Sequence, residues 1–253
     1  MSALALPALA ALGWTQREHL ETLALRARGL RVLEQRDTPF GRLAVVERER
    51  KRYLAYGPGT EIVYQSVLDL DRPHELAAPY MRLMMLGLAY TGTQVQAALV
   101  GLGAGNMAVY ALRHYPQLRL QAVDIDPHAV DLGRRWFGLQ ADARLQVHIA
   151  DGRDWLQAGR ERFDLILLDA YDGPSIPPAL RDAGFFALVA ERLAPGGVVM
   201  QNVYRPGVDL PALLAALRPV LPEVDRYRWG DSLVLAAHRG PARSAQALAT
   251  ARR

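Results

Sequence analysis

A chain of 253 residues, 51% hydrophobic and 22% charged, can bury one large core, or one domain beside a small one. The absence of cysteine excludes disulfides, thiolate metal sites and a cysteine nucleophile. The net charge of +4 does not indicate nucleic-acid binding. The one dense basic run, Glu47 to Arg52, is broken by acids, whereas a phosphate-tracking face is cationic throughout.

Residues 1–30 read as an N-terminal helical segment, with Leu20, Leu23, Leu25 and Leu30 among charged neighbours. The N-terminus lacks the basic region of a secretory signal. No stretch reaches the roughly 18 apolar residues of a membrane span. The expectation is a cytoplasmic protein with no membrane contact. Residues 31–72 read as a small antiparallel β domain, with strands at Arg31–Gln35, Arg42–Glu47, Arg52–Tyr56 and Ile62–Leu68. Thr38-Pro39-Phe40-Gly41 is a turn and Gly57-Pro58-Gly59 a break. From Glu75 to Ala89, Leu76, Tyr80, Leu83, Met84, Leu86 and Leu88 recur at helical spacing. Met81, Met84 and Met85 are expected in the core. No metal is expected, since the six histidines show no paired ligand spacing. A serine hydrolase is not expected, given the lack of G-x-S-x-G.

From Ala97 onward strands and helices alternate. Strands are predicted at 97–101, 120–124, 145–149, 163–169, 197–203, 224–229 and 232–238. Helices are predicted near 105–114, 128–137, 153–158, 179–193 and 209–218. Such alternation implies an α/β fold with a largely parallel sheet covered on both faces. A short Gly230-Asp231 connection makes the last two strands a hairpin. Five strands and a terminal hairpin are the layout of the seven-stranded, methyltransferase-like Rossmann fold. Its domain spans 73–238, and 239–253 is read as a flexible tail.

The organising stretch is Ala97 to Asp126. A short apolar run meets Gly101, Gly103 and Gly105, a helical pattern follows, and a second apolar run ends at Asp124. Glycines let the backbone turn tightly against a ligand, and an acid at the end of the second strand takes ribose hydroxyls. The third glycine falls one residue early for G-x-G-x-x-G, which disfavours a dinucleotide and suits a nucleoside sulfonium, S-adenosylmethionine or a relative. The alternative is a tight strand-to-helix turn with no ligand. Further acids fall at predicted strand ends: Asp151-Gly152 after the third strand, Asp169 after the fourth, and Asp172 three residues on. Four acids around one cleft favour a cationic ligand. Asp172 also reads as a turn residue before Gly173-Pro174.

In these motifs the chain resembles the spermidine synthase (polyamine aminopropyltransferase) family, over residues 31 to 238. The shared features are the glycine turn, Asp124-Ile125-Asp126, Asp151-Gly152 and Asp169-Ala170-Tyr171-Asp172-Gly173-Pro174. The resemblance implies that Asp124, beside Ile125, binds the ribose and that Asp151 accepts from the adenine amino group. It implies that Asp169 is the general base and that Asp172 holds the amine. Tyr80, Gln65 and Tyr171 fall on the substrate side. The implied co-substrate is decarboxylated S-adenosylmethionine, the acceptor a polyamine or other amine, and the assembly a homodimer or homotetramer. Four positions depart from the family pattern. Ala104 replaces an aspartate that grips the aminopropyl amine, Met81 replaces a glutamine, and Ala170-Tyr171 replaces a Ser/Thr pair. Tyr171 is expected to stack on a different acceptor or to close the pocket. The alternatives are an S-adenosylmethionine-dependent methyltransferase on the same fold, or a non-catalytic nucleoside-binding descendant.

Overall fold

The computed structural model describes residues 22–57, 62–92, 94–230 and 232–240. Most of the expected N-terminal helix, the Pro58-Gly59 break and most of the tail fall outside them. Residues 22–27 are helical. β1 (Arg31–Thr38), β2 (Gly41–Arg48), β3 (Lys51–Tyr56) and β4 (Val63–Asp69) then form a four-stranded antiparallel meander.

Next come α1 (Pro79–Met84), a 3-10 turn (Met85–Tyr90), β5 (Val95–Val100), α2 (Asn106–His114), β6 (Leu118–Asp124) and α3 (Pro127–Trp136). They are followed by β7 (Leu145–Ile149), α4 (Gly152–Ala158), β8 (Phe163–Leu168) and α5 (Ala183–Arg192). The chain continues with β9 (Leu193–Tyr204), α6 (Leu210–Leu217), β10 (Glu223–Trp229) and β11 (Ser232–His238). The predicted helix over 75–89 begins four residues late. Pro79 sits at its first turn, and the residue before a proline is pushed to extended backbone, as Ala78 is (ψ 131°). It tightens to 3-10 geometry where Gly87 presses on the sheet, with Leu165 Cδ1 only 2.5 Å from where a Cβ would stand.

The seven strands lie in the order β10-β11-β9-β8-β5-β6-β7. β5 pairs in parallel with both β6 and β8, and β11 runs antiparallel to β9 and β10. β5 is apolar on both faces because both are covered. Ala97 and Leu99 join the cluster of Met84, Met107, Leu120, Leu167 and Met200. Ala98 and Val100 join Val123, Ile166, Phe186, Val189 and Leu217 on the other face.

The small sheet is also buried on both sides. Leu43, Val45 and Leu54 pack with Ala129, Leu132 and Phe137 around α3, while Ala44 and Val46 pack with Leu25 and Leu30. Polar ties accompany this packing: the Trp136 indole donates to Glu34 at 2.7 Å, and the Tyr56 hydroxyl donates to Asp126. Asp126 is 1% exposed and caps α3 through the His128 N–H. Removing the hydroxyl leaves a buried carboxylate oxygen without its donor. Tyr56→Phe is therefore expected to lower stability by about 1–3 kcal/mol, read as a lower urea midpoint at unchanged m-value.

Candidate active site

The strand order reverses at β5, since the chain leaves it for β6 on one side and returns as β8 on the other. Open α/β sheets bind ligands in the crevice at the carboxyl ends of such strands. Here those ends are locked together: the Asp169 N–H donates to Val100 O at 2.8 Å, and the Gly101 N–H to Val123 O at 3.0 Å. Gly101 has φ +92°, and a Cβ there would stand 2.5 Å from Asp169 O. Gly103 has φ +55° and faces the Ser66 hydroxyl of β4. Gly105, at φ +85°, opens α2 and packs on Leu139.

A cavity of about 810 Å³ opens over this turn. The structure brings Gln65, Gly101, Gly103, Asp124, Ile125, Asp151, Gly152, Asp169, Tyr171 and Asp172 to its wall. Two expected residues do not line it. Gly105 lies behind the turn against Leu139, and Tyr80 reaches the site only through Asp169.

Asp124 Oδ2 accepts the Gly103 N–H at 2.7 Å and Oδ1 the Asp126 N–H at 2.9 Å. A carboxylate has about four acceptor positions, and those left by these N–H groups are open to a ribose hydroxyl. Burial, with the nearby Asp126 charge, pushes this carboxyl above the usual carboxylate range, against the opposing pull of the Asp126, Gly103 and Leu102 N–H groups. Ile125 beside it is 47% exposed, an apolar face at the cavity edge. Asp151 caps α4, its Oδ1 accepting from Arg153 at 2.8 Å and Asp154 at 3.1 Å. Gly152 is required by packing: a Cβ there would meet Val100 Cγ1 at 2.5 Å, so α4 abuts the central strand.

Asp169 is held by two side chains. Its Oδ1 accepts the Asn202 amide at 2.7 Å and its Oδ2 the Tyr80 hydroxyl at 3.3 Å. Burial raises its pKa to about 7, with the Asn202 and Tyr80 hydrogen bonds pulling the other way. Asn202 was invisible to the sequence reading. Its signal is positional: it follows the apolar run of β9, at the same carboxyl edge of the sheet.

Tyr171 is fixed from the other side. Its hydroxyl donates to Asn202 O at 2.9 Å and accepts the Tyr204 N–H at 2.8 Å. Asp172 forms a turn with Ser175, N–H to O at 2.8 Å, and Gly173 at φ +59° completes it. Its carboxylate has no partner among the described residues, and the residue lines the cavity. The turn role and a cavity role thus coexist. The only cation among the described wall residues, Arg42, is paired with Asp37 at 2.9 Å. Among the described residues no cluster of acids and histidines could hold a metal ion. No described helix is long and apolar enough to cross a membrane.

A family model described as the spermine/spermidine synthase domain matches residues 81–214, more than half of the sequence. The chain belongs to the spermine/spermidine synthase family. It is 36% identical over 139 residues to a probable polyamine aminopropyl transferase of Bifidobacterium longum, covering 55% of this chain and 30% of that protein. It is 32% identical over 165 residues to a polyamine aminopropyltransferase of Neisseria meningitidis, covering 64% and 62%. These matches therefore span less than two thirds of either relative. Among solved structures it is similar to human methyltransferase-like protein 13 in complex with SAH. The TM-score there is 0.63 at 26% identity, covering 69% of this chain and 89% of that one.

Proposed function

We propose that the chain is a spermidine synthase-like transferase that moves an aminopropyl group from decarboxylated S-adenosylmethionine to an amine acceptor. The observation that carries this reading is Asp169, a cleft carboxylate with a pKa of about 7, beside an acid set suited to an adenosyl group. In this reading residues 31–72 are the small β domain and 73–238 the adenosyl-binding domain. Asp124 holds the ribose hydroxyls, Ile125 lies against the base, and the free oxygen of Asp151 accepts the adenine amino group.

The acceptor arrives as an ammonium ion with a pKa of about 10 and must lose a proton before its nitrogen can attack. A base at about 7 lies closer to that value than an ordinary carboxylate at 3.8. Asp172, Gln65 and Tyr171 position the amine, and Tyr80 and Asn202 fix the carboxylate that takes the proton. The amine nitrogen then bonds the carbon next to the sulfonium, the carbon–sulfur bond breaks, and methylthioadenosine leaves.

Incubation with decarboxylated S-adenosylmethionine and a panel of amines is expected to release methylthioadenosine and an aminopropylated amine, followed by mass spectrometry. Turnover of intact S-adenosylmethionine alone, to S-adenosylhomocysteine, would replace this reading with a methyltransferase. That second reading is favoured by Ala104. Its side chain is wholly buried in the apolar cluster of Leu43, Leu54 and Leu132, so the family's amine-gripping carboxylate has no counterpart there.

Asn202 gives a further test. Its hydrogen bond favours the charged form of Asp169, so Asn202→Ala raises the Asp169 pKa. The acid limb of the pH–rate profile is expected to move to higher pH. A lower rate with the limb unmoved would mean that Asn202 only holds the end of β9.

A further inference from the structure

β8 and β9 pair in parallel, and their ladder ends with Leu168 opposite Gln201. Beyond that pair β8 leaves the sheet, and the Asp169 N–H turns to Val100 O of β5 at 2.8 Å. β9 runs on to Tyr204, paired with β11 on its other side. In a parallel ladder, a residue opposite Val203 would donate its N–H to Asn202 O and accept the Tyr204 N–H on its C=O. Extending the register by two residues gives that place to Ala170. The Tyr171 hydroxyl makes both bonds instead. It donates to Asn202 O at 2.9 Å and accepts the Tyr204 N–H at 2.8 Å. One side-chain oxygen thus stands in for a strand residue after β8 has turned away.

The segment held in this way carries Asn202, whose amide donates to Asp169 Oδ1 at 2.7 Å. We propose that Tyr171 is a positioning residue for the transfer: its hydroxyl keeps the end of β9 in register, and so keeps the Asn202 amide on the Asp169 carboxylate. This rests on Asp169 as the base that takes the acceptor's proton. Gln201 secures the step before, its amide donating to Leu168 O at 3.3 Å and to Asn202 O at 2.8 Å. Tyr171 reaches two residues farther, to Tyr204. An N–H on a carboxylate favours its charged form, so loss of this hold leaves the buried Asp169 harder to ionise. The titratable and charged groups around it are Tyr80 of α1, Tyr171 itself, and Asp124, Asp151, Asp172 and the Asp37-paired Arg42 of the wall. Burial raises both tyrosines, which stay protonated through neutral pH. The Tyr171 ring packs against the cluster that contains Val199 and Val203. Tyr171→Phe therefore removes the two bonds and leaves the ring in place.

Ionisation of Asp169 can be read without turnover, from the carboxyl carbon of labelled aspartate in the full chain. Its signal is the one lost in Asp169→Asn, and the remaining aspartate signals report that each variant is folded. The wild-type midpoint is expected at about 7. Asn202→Ala is expected to raise it by about one pH unit and Tyr171→Phe by roughly half of that or more. The double variant is expected to go no further than Asn202→Ala alone. The acid limb of kcat/KM with the decarboxylated donor is expected to move in step. A Tyr171→Phe protein with the wild-type midpoint overturns the inference and leaves Asp169 standing as the base. A double variant in which the two shifts add also overturns it, because Tyr171 would then act on Asp169 by a route other than Asn202. A wild-type midpoint in the ordinary carboxylate range removes the base, and this inference with it. Midpoints that move as expected in a protein that does not turn over the decarboxylated donor would uphold the hold on Asp169 and remove the aminopropyl reading.

Discussion

Replacing Asp169 by asparagine is expected to lower turnover by about 10²–10⁴-fold and to leave the affinity for the donor near the wild-type value. The replacement is close to isosteric. Its Oδ1 can keep accepting from Asn202, and its Nδ2 can donate to the Tyr80 oxygen, which serves as donor or acceptor. What is lost is the group that takes the amine's proton. The same residue sets a pH dependence. The base must be ionised, so the wild-type kcat/KM is expected to fall as pH drops through about 7. Stability runs the other way. The folded pKa lies above the unfolded value of 3.8, so the folded state retains a proton that the unfolded chain releases. Stability from this group declines from about pH 4 to pH 7 and stays low above it. Asp169→Asn is therefore expected to raise the melting temperature at pH 8 and to change it little at pH 4. A variant with full activity, or one that melts lower at pH 8, would remove Asp169 as the strained base.

The fold was readable because its signals are local. Alternating apolar runs and helical periods mark β5 to β11, and one glycine turn joins β5 to α2. The acids were readable for the same reason: each ends a recognisable strand, so the topology alone carries Asp124, Asp151 and Asp169 to one edge. Local patterning misleads where steric restriction competes with it. The periodicity over 75–89 continues through Ala77-Ala78, but Pro79 holds Ala78 extended and delays the helix.

The roles that were missed depend on residues distant in the chain. Tyr80 acts on Asp169 across 89 positions and Asn202 across 33, and neither spacing leaves a trace in sequence. Gly152 lines the cavity, and its lack of a side chain also makes room for Val100. Asp151 looks like a free acid, but one of its oxygens is spent on capping α4. Tyr171 is expected to stack on an acceptor or to close the pocket, and both bonds of its hydroxyl go to β9 backbone. In each case the residue type was legible and its partner was not.

Gly101→Ala is expected to destabilise the protein by about 2–5 kcal/mol and to remove most activity with it. Two effects combine. At φ +92° an L side chain is strained, and the added Cβ would stand 2.5 Å from Asp169 O, 2.6 Å from Asp169 C and 2.7 Å from Ala170 N. These are backbone atoms at the end of a central strand and cannot swing aside as a side chain can. Relief requires β5 and β8 to part at the point where the Asp169 N–H meets Val100 O, so the base moves out of register with Asn202 and Tyr80. Gly138→Ala isolates the backbone contribution. Gly138 has φ +77° with nothing within 4 Å of the added Cβ, so a loss of only about 1 kcal/mol and near-normal turnover are expected. Urea denaturation and turnover of the two variants side by side separate conformational strain from collision. If Gly101→Ala proved no worse than Gly138→Ala in both, the close approach of the glycine turn to Asp169 would not be what positions the base.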